Sequence, residues 1–316
     1  MKKSLFKLAI LLLATTLYLG ACKQHKDKPV TPDDSGTQAT SAADQNNVTR
    51  ESDEALEDAN TVVSASSTNG RVAGTFSPIN AATVDTLGNG KFKITYNGSY
   101  NGATKSGSIT VQIGPTATTK WTDLNATLTI TFTDYTVSRN GKTITFNGTK
   151  IVTNKGSNDW RTLYGAAINS TIDHHIRGTN LQIKFDNGTT RTWSVARHKV
   201  ITKTSSTNYT ITISGDTTIG NYTNNNDVES WGTNRLGENF VNEITTPLVF
   251  DLACNGTGTQ GVLVHHHDVD ANTTKNLTVT FGVNPDGSAS SASCPYGYKF
   301  NWIGLDGNSK QAVVSY

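Results

Sequence analysis

From about residue 72 onward, apolar and polar positions alternate with a period of two. Phe92, Ile94 and Tyr96 are spaced this way, as are Ile109, Val111 and Ile113, and Leu128, Ile130 and Phe132. The pattern returns at Leu181, Ile183 and Phe185, at Tyr209, Ile211 and Ile213, at Leu248, Phe250 and Leu252, and at Leu277, Val279 and Phe281. Successive side chains of a strand point to opposite faces, so this spacing predicts strands with one buried face. Between the runs stand Asn89-Gly90, Asn97-Gly98, Asn140-Gly141, Asn147-Gly148, Asn187-Gly188, Asp286-Gly287 and Asp306-Gly307. Asn-Gly and Asp-Gly supply the positive φ of tight hairpins. The prediction is an all-β fold of roughly 14–18 antiparallel strands, a sandwich or elongated meander, over residues 71–316. A subdivision is expected near residues 200–205. No helix is expected after residue 70 beyond a short turn at 164–172.

The first 70 residues follow another pattern. Lys2, Lys3 and Lys7 flank an apolar run that ends in Leu19-Gly20-Ala21-Cys22. A cationic start, a short apolar run and small residues before a cut describe a secretory signal over 1–21. A cysteine directly after Gly-Ala resembles the lipobox of bacterial lipoproteins. That resemblance implies acylation at Cys22 and a membrane partner reached through the lipid, and Lys23 rather than Asp after the cysteine favours an anchor in the outer membrane or at the cell surface. Residues 22–70 read as a flexible tether, polar through Asn47, with a short helix over Val48–Asn60 that Thr49 caps.

Charge sharpens this division. The chain carries +2 overall. Residues 23–70 hold four basic and nine acidic residues, which is −5. With the three signal lysines set aside, the remainder carries about +4. No basic stripe marks a nucleic-acid face. The cysteines are Cys22, Cys254 and Cys294. Acylation of the first leaves an even pair in an oxidising compartment, which predicts a Cys254–Cys294 disulfide.

Several stretches occur in one order: "GSITVQI", "ATLTITFTDYTVSRNGKTITFNGTKIVTN", "LQIKFDNGTTRTWSVAR", "WGTNRLGENFVNEITTPLVFDLAC" and "LTVTF" followed by "CPYGYKF". Together they resemble uncharacterised all-β lipoproteins of Bacteroidota-type bacteria, over most of residues 90–305. The resemblance implies a surface or periplasmic lipoprotein with the same cysteine pairing. It brings no activity and no catalytic residues.

The candidate chemistry is sparse. His265 and His267 share one strand face, and Asp268 or Asp270 adds an oxygen, which makes a weak zinc-type donor set. His174-His175, after Asp173, and His198, beside Arg197, are the histidine–carboxylate candidates for hydrolysis, but Asp173 and His174 fall on opposite faces of a strand. Trp160 and Trp231 lie among Asn, Asp, Gly and Thr, and are candidates for exposed aromatics that stack on a glycan or protein ligand. Arg235, between Gly232 and Gly237, reads as part of a structured turn. No cofactor motif is present. These features suggest a non-enzymatic binding or structural module of the cell envelope. The alternatives are a secreted hydrolase of glycans or peptides, and a metal-binding surface protein.

Overall fold

The computed structural model describes residues 35–68, 75–76, 79–100, 102–219, 226–270, 273–304 and 306–316. Its body is one antiparallel sheet of fifteen strands. In chain order these are β1 (Thr75–Phe76), β2 (Ala82–Gly88), β3 (Lys91–Tyr100), β4 (Ala103–Gly114), β5 (Thr127–Arg139), β6 (Lys142–Asn154), β7 (Thr171–Phe185) and β8 (Thr190–Lys203). They continue as β9 (Tyr209–Gly215), β10 (Val228–Thr233), β11 (Asn239–Asp251), β12 (Thr257–Asp270), β13 (Thr273–Val283), β14 (Gly297–Ile303) and β15 (Ser309–Ser315). Neighbours in sequence are neighbours in space except at one place. There β9 and β10 both fill the gap between β8 and β11, β9 along Arg197–Lys203 and β10 along Trp193–Val195. The expected subdivision near 200–205 falls at this fork, and the sheet runs through it unbroken.

The period-two runs form strands whose apolar side chains are buried on one face, as Val84, Ile94, Ile109, Leu128, Phe146 and Ile183 illustrate. Asn89-Gly90 and Asn140-Gly141 have positive φ at both residues, the geometry that two-residue hairpins need. Two other Asn-Gly pairs do not form turns. Asn97-Gly98 lies inside β3, and Asn147-Gly148 inside β6 beside a register shift. There Gly148, at φ 123°, lies so close to Leu181 that its Cβ would be 3.2 Å from the Leu181 Cα. These irregularities bend the sheet.

The largest departure from expectation is at the start. Residues Ser35–Thr68 form one helix, α1, of 34 residues, where the sequence predicts a flexible tether and a short helix over 48–60. Its buried positions are Ser41, Asp44, Gln45, Val48, Glu51, Ser52, Ala55, Leu56, Ala59, Asn60, Val62 and Val63. They recur at three- and four-residue steps and make one stripe. The stripe is polar in its first half and apolar in its second, so hydropathy alone does not mark it. A second, short helix, α2 (Trp160–Gly165), begins at a capping box in which Asp159 accepts from the Thr162 N–H.

The sheet curls around α1. The neighbouring residues Glu57 and Asp58 form ion pairs with Lys199 on β8 and Lys105 on β4. On a flat sheet those strands would stand about 19 Å apart, at roughly 4.8 Å per strand. Adjacent helix residues reach both only if the sheet folds up on either side. Tyr96, Lys105, Arg139, Lys150 and Arg197 hold the helix along its length. Cys254 and Cys294 form a disulfide that joins the short 3-10 turn Leu252–Cys254 to the loop before β14. Closing that 40-residue separation is worth roughly 4 kcal/mol in the chain-entropy model. Among the described residues, no helix is long and apolar enough to cross a membrane. Cys22 and the expected signal segment lie outside the described residues.

Candidate ligand cavity and histidine clusters

A cavity of about 160 Å³ lies between the N-terminal half of α1 and the inner face of the sheet from β8 to β14. Its walls differ in kind. Ala42, Gln45, Asn46, Thr49 and Asp53 face it from the helix. Arg197, Glu229, Asn242 and His265 continue that polar side onto the sheet. The rest of the lining is mostly apolar, formed by Ile213, Ile244, Leu248, Leu263 and Val279 together with Phe250, Phe281, Tyr298 and Phe300.

The polar side carries charges that compensate one another. The Arg197 guanidinium donates from Nε to Glu229 at 2.5 Å, from Nη1 to Asp53 at 3.1 Å and from Nη2 to the Thr49 hydroxyl at 3.0 Å. Burial opposes its charge, but Glu229 and Asp53 outweigh burial and hold it protonated. Asp53 also accepts from Lys150, whose side chain is fully buried and bonds Ser52. Burial raises the Asp53 carboxyl, while Lys150, Arg197 and Lys199 together pull it below the usual carboxylate range. Glu229 further accepts from Ser230 and Asn242. An occupant of the cavity therefore meets satisfied ion pairs rather than an uncompensated charge.

His265 stands at the edge of this network. Its Nδ1 lies 2.6 Å from Asn242 Oδ1 and its Nε2 lies 3.1 Å from Ser41 Oγ. The chain Ser41–His265–Asn242 has the connectivity of a nucleophile, a base and an orienting group. Two features deprive it of the corresponding chemistry. Burial, with His267, Arg191 and His266 nearby, pushes the His265 imidazole down to about 3, too weak a base to accept a hydroxyl proton near neutrality. Ser41 also sits inside α1, where backbone N–H groups are spent on the helix ladder and none is left for an oxyanion.

The other sequence candidates are placed as follows. His267 shares the inner face with His265, but the rings are 6.3 Å apart and His267 binds Glu238 and Asn234. His266 points to the opposite face and binds Glu243 and Asn276. Asp268 lies on that opposite face too, and the side chain of Asp270 lies outside the described residues. The expected His265–His267–carboxylate set therefore does not converge, because each ring is engaged by a partner on β11 or in its lead-in turn. Trp160 packs edge-on against Tyr209 and over Leu163, Ile172 and Ile201. Trp231 is a strand residue of β10, paired with Ser194 and Val241, rather than a loop residue. Both rings are half-buried. Arg235 makes two 2.6 Å bonds to Asp44 of α1 and lies over the Phe185 ring.

His174 is buried against Trp121, and burial with Lys199 nearby lowers it to about 3. Asp173 and His198 face the other way, as the strand alternation predicts, and bond each other at 2.9 Å. His175, the second member of the His174-His175 pair singled out in the sequence, stacks on His198 with ring centroids 4.6 Å apart. A signal for this pair existed: both histidines follow an inward-facing residue on adjacent strands. Their register, though, comes only from the sheet.

Comparison of the chain with protein-family models, with curated proteins and with solved structures finds no match.

Proposed function

We propose that this protein is a non-enzymatic lipoprotein of the cell envelope whose cavity binds a small amphiphile with an apolar body and an uncharged polar end. The observation that carries the reading is the split lining. One wall is aliphatic and aromatic; the other offers Gln45, Asn46, Thr49 and Asn242 beside ion pairs that already neutralise one another. Apolar surface withdrawn from water there contributes roughly 25 cal/mol per Å², and amide groups orient the polar end. A charged ligand would have to disrupt Arg197 and its two carboxylates, at a cost of several kcal/mol. The sparse acid–base chemistry described above supports binding over hydrolysis.

Anchorage through acylated Cys22 belongs to the same proposal. The thirteen residue steps from Cys22 to Ser35 reach at most about 47 Å when fully extended. A body held that close to a bilayer can exchange an amphiphile with it. The test is titration of the full chain with N-phenyl-1-naphthylamine, a neutral apolar fluorophore. Saturable enhancement at one site, displaced by uncharged amphiphiles and not by short soluble sugars, is expected. Sugar displacement, or no saturable binding, rejects the reading. Anchorage is read separately, as the mass of the acylated N-terminal peptide.

A further inference from the structure

On the outer face of the sheet, opposite the cavity, Asp173, His175 and His198 place one ligand atom each within 4.8 Å of the others. We propose that these three side chains form a zinc-type metal site. His175 and His198 are directly paired residues of β7 and β8, and Asp173 lies two residues along the same face of β7. Cross-strand neighbours on one face are held near each other by the ladder itself, so the donors sit on rigid elements rather than on a loop.

The donor chemistry selects the ion. Two imidazoles and one carboxylate match the three-ligand sets that zinc accepts, with a fourth position left for water. Calcium and magnesium prefer oxygen throughout. Zinc–nitrogen bonds of about 2.0–2.1 Å put tetrahedral neighbours about 3.3 Å apart. The His198 Nε2 to Asp173 Oδ1 distance is already 2.9 Å. The other donor separations lie within 4.8 Å, so an ion would draw them in by rotating the side chains. All three side chains are about one-third exposed, so an ion reaches them from solvent.

A fourth residue supports this assignment. Asp216 binds His175 Nδ1 at 2.8 Å, as an outer carboxylate orients a ligating histidine. Asp216 is also paired with Arg177 at 2.7 Å, which engages its charge and leaves it a positioning residue. Its place follows from Gly215, whose added Cβ would lie 2.1 Å from the Asp227 carbonyl carbon. Only glycine allows the two backbones to approach there.

The test is zinc titration of the full chain by calorimetry, with bound metal counted after dialysis. One equivalent per chain is expected, unaffected by excess calcium. His175→Ala and His198→Ala should each weaken binding at least tenfold, and Asp216→Asn about tenfold, while circular dichroism stays unchanged. His266→Ala, outside the cluster and paired with Glu243, should leave the affinity as it was. Absence of stoichiometric zinc, displacement by calcium, or equal affinity in His175→Ala and His198→Ala overturns the proposal. Because His175 and His198 point away from the cavity, fluorophore binding is unchanged in these variants whichever way the zinc result falls.

Discussion

The run of strands from β2 to β8 and the run from β11 to β15 share the same hairpin construction, yet their inner faces meet different neighbours. In the first, Leu56, Ala59, Val62 and Val63 of α1 complete a core with Ile94, Ile109, Leu128, Ile130 and Phe146, all at most 2 % exposed. In the second, Ile244 and Leu248 make a small buried cluster with Ile213 of β9, while Phe250, Leu263 and Phe281 stay half-buried around the cavity. Strand pattern therefore does not decide whether an inner face becomes core or binding wall. The reach of the helix decides it. Its apolar half fills the first run, and its polar half stops at the second.

The sharpest way to break this contrast is at Arg197, where helix, sheet and cavity meet. Arg197→Leu leaves Asp53 and Glu229 buried without their shared cation, and should cost about 3–5 kcal/mol in denaturant unfolding. A loss under 1 kcal/mol would mean that the helix is not clamped there. Leu56→Ala, deep in the filled half, should cost about 2–5 kcal/mol through lost burial and the cavity left behind. Were Leu56→Ala nearly neutral, α1 would not belong to the core.

The two halves were unequally legible in sequence. Alternation showed the strands because each has one wet and one dry face. The helix was hidden because its buried stripe begins Ser41, Asp44, Gln45, Glu51 and Ser52, residues that read as solvated. They are buried because Arg139, Lys150, Arg191, Arg197 and Arg235 meet the helix from strands and turns distant in sequence. The −5 of residues 23–70 against +4 elsewhere was the trace of that pairing. Without the curl of the sheet it could not be assigned to contacts. Asp173, His175 and His198 were visible as residue types, though their convergence came only from register, whereas Asp216 joined them only through the approach at Gly215.

pH separates the charged clamp from the neutral buried histidines. His174 and His265, both near 3 in the folded chain, return to about 6.5 on unfolding. The unfolded chain then binds more protons between those values, so stability falls as pH drops from about 6.5 toward 3. Asp53, lowered by its cations, adds a loss in the same direction once pH passes below the ordinary carboxylate range. Glu54 and Asp58 act oppositely. Burial raises both, with Glu51 adding to the shift of Glu54 and Lys105 offsetting part of that of Asp58. Their protonation therefore favours the fold as pH falls. The histidine contribution is isolated with His174→Gln. The variant should flatten the unfolding free energy between pH 6 and 4 by on the order of a few kcal/mol. An unchanged slope would mean that His174 is protonated in the folded chain.

The smallest expected effect on stability carries the most information about function. Leu263 lines the cavity and is already half-buried, so a larger side chain there has empty volume to enter. Leu263→Trp should change unfolding free energy by no more than about 1–2 kcal/mol, since the ring fills space rather than displacing packed neighbours. The same change should abolish fluorophore binding, because an indole takes up much of a cavity of about 160 Å³. Stability kept and binding lost is the signature of a wall built to receive a guest. If the ring destabilises the chain as severely as Leu56→Ala does, the second half is packed like the first, and the cavity is not a site.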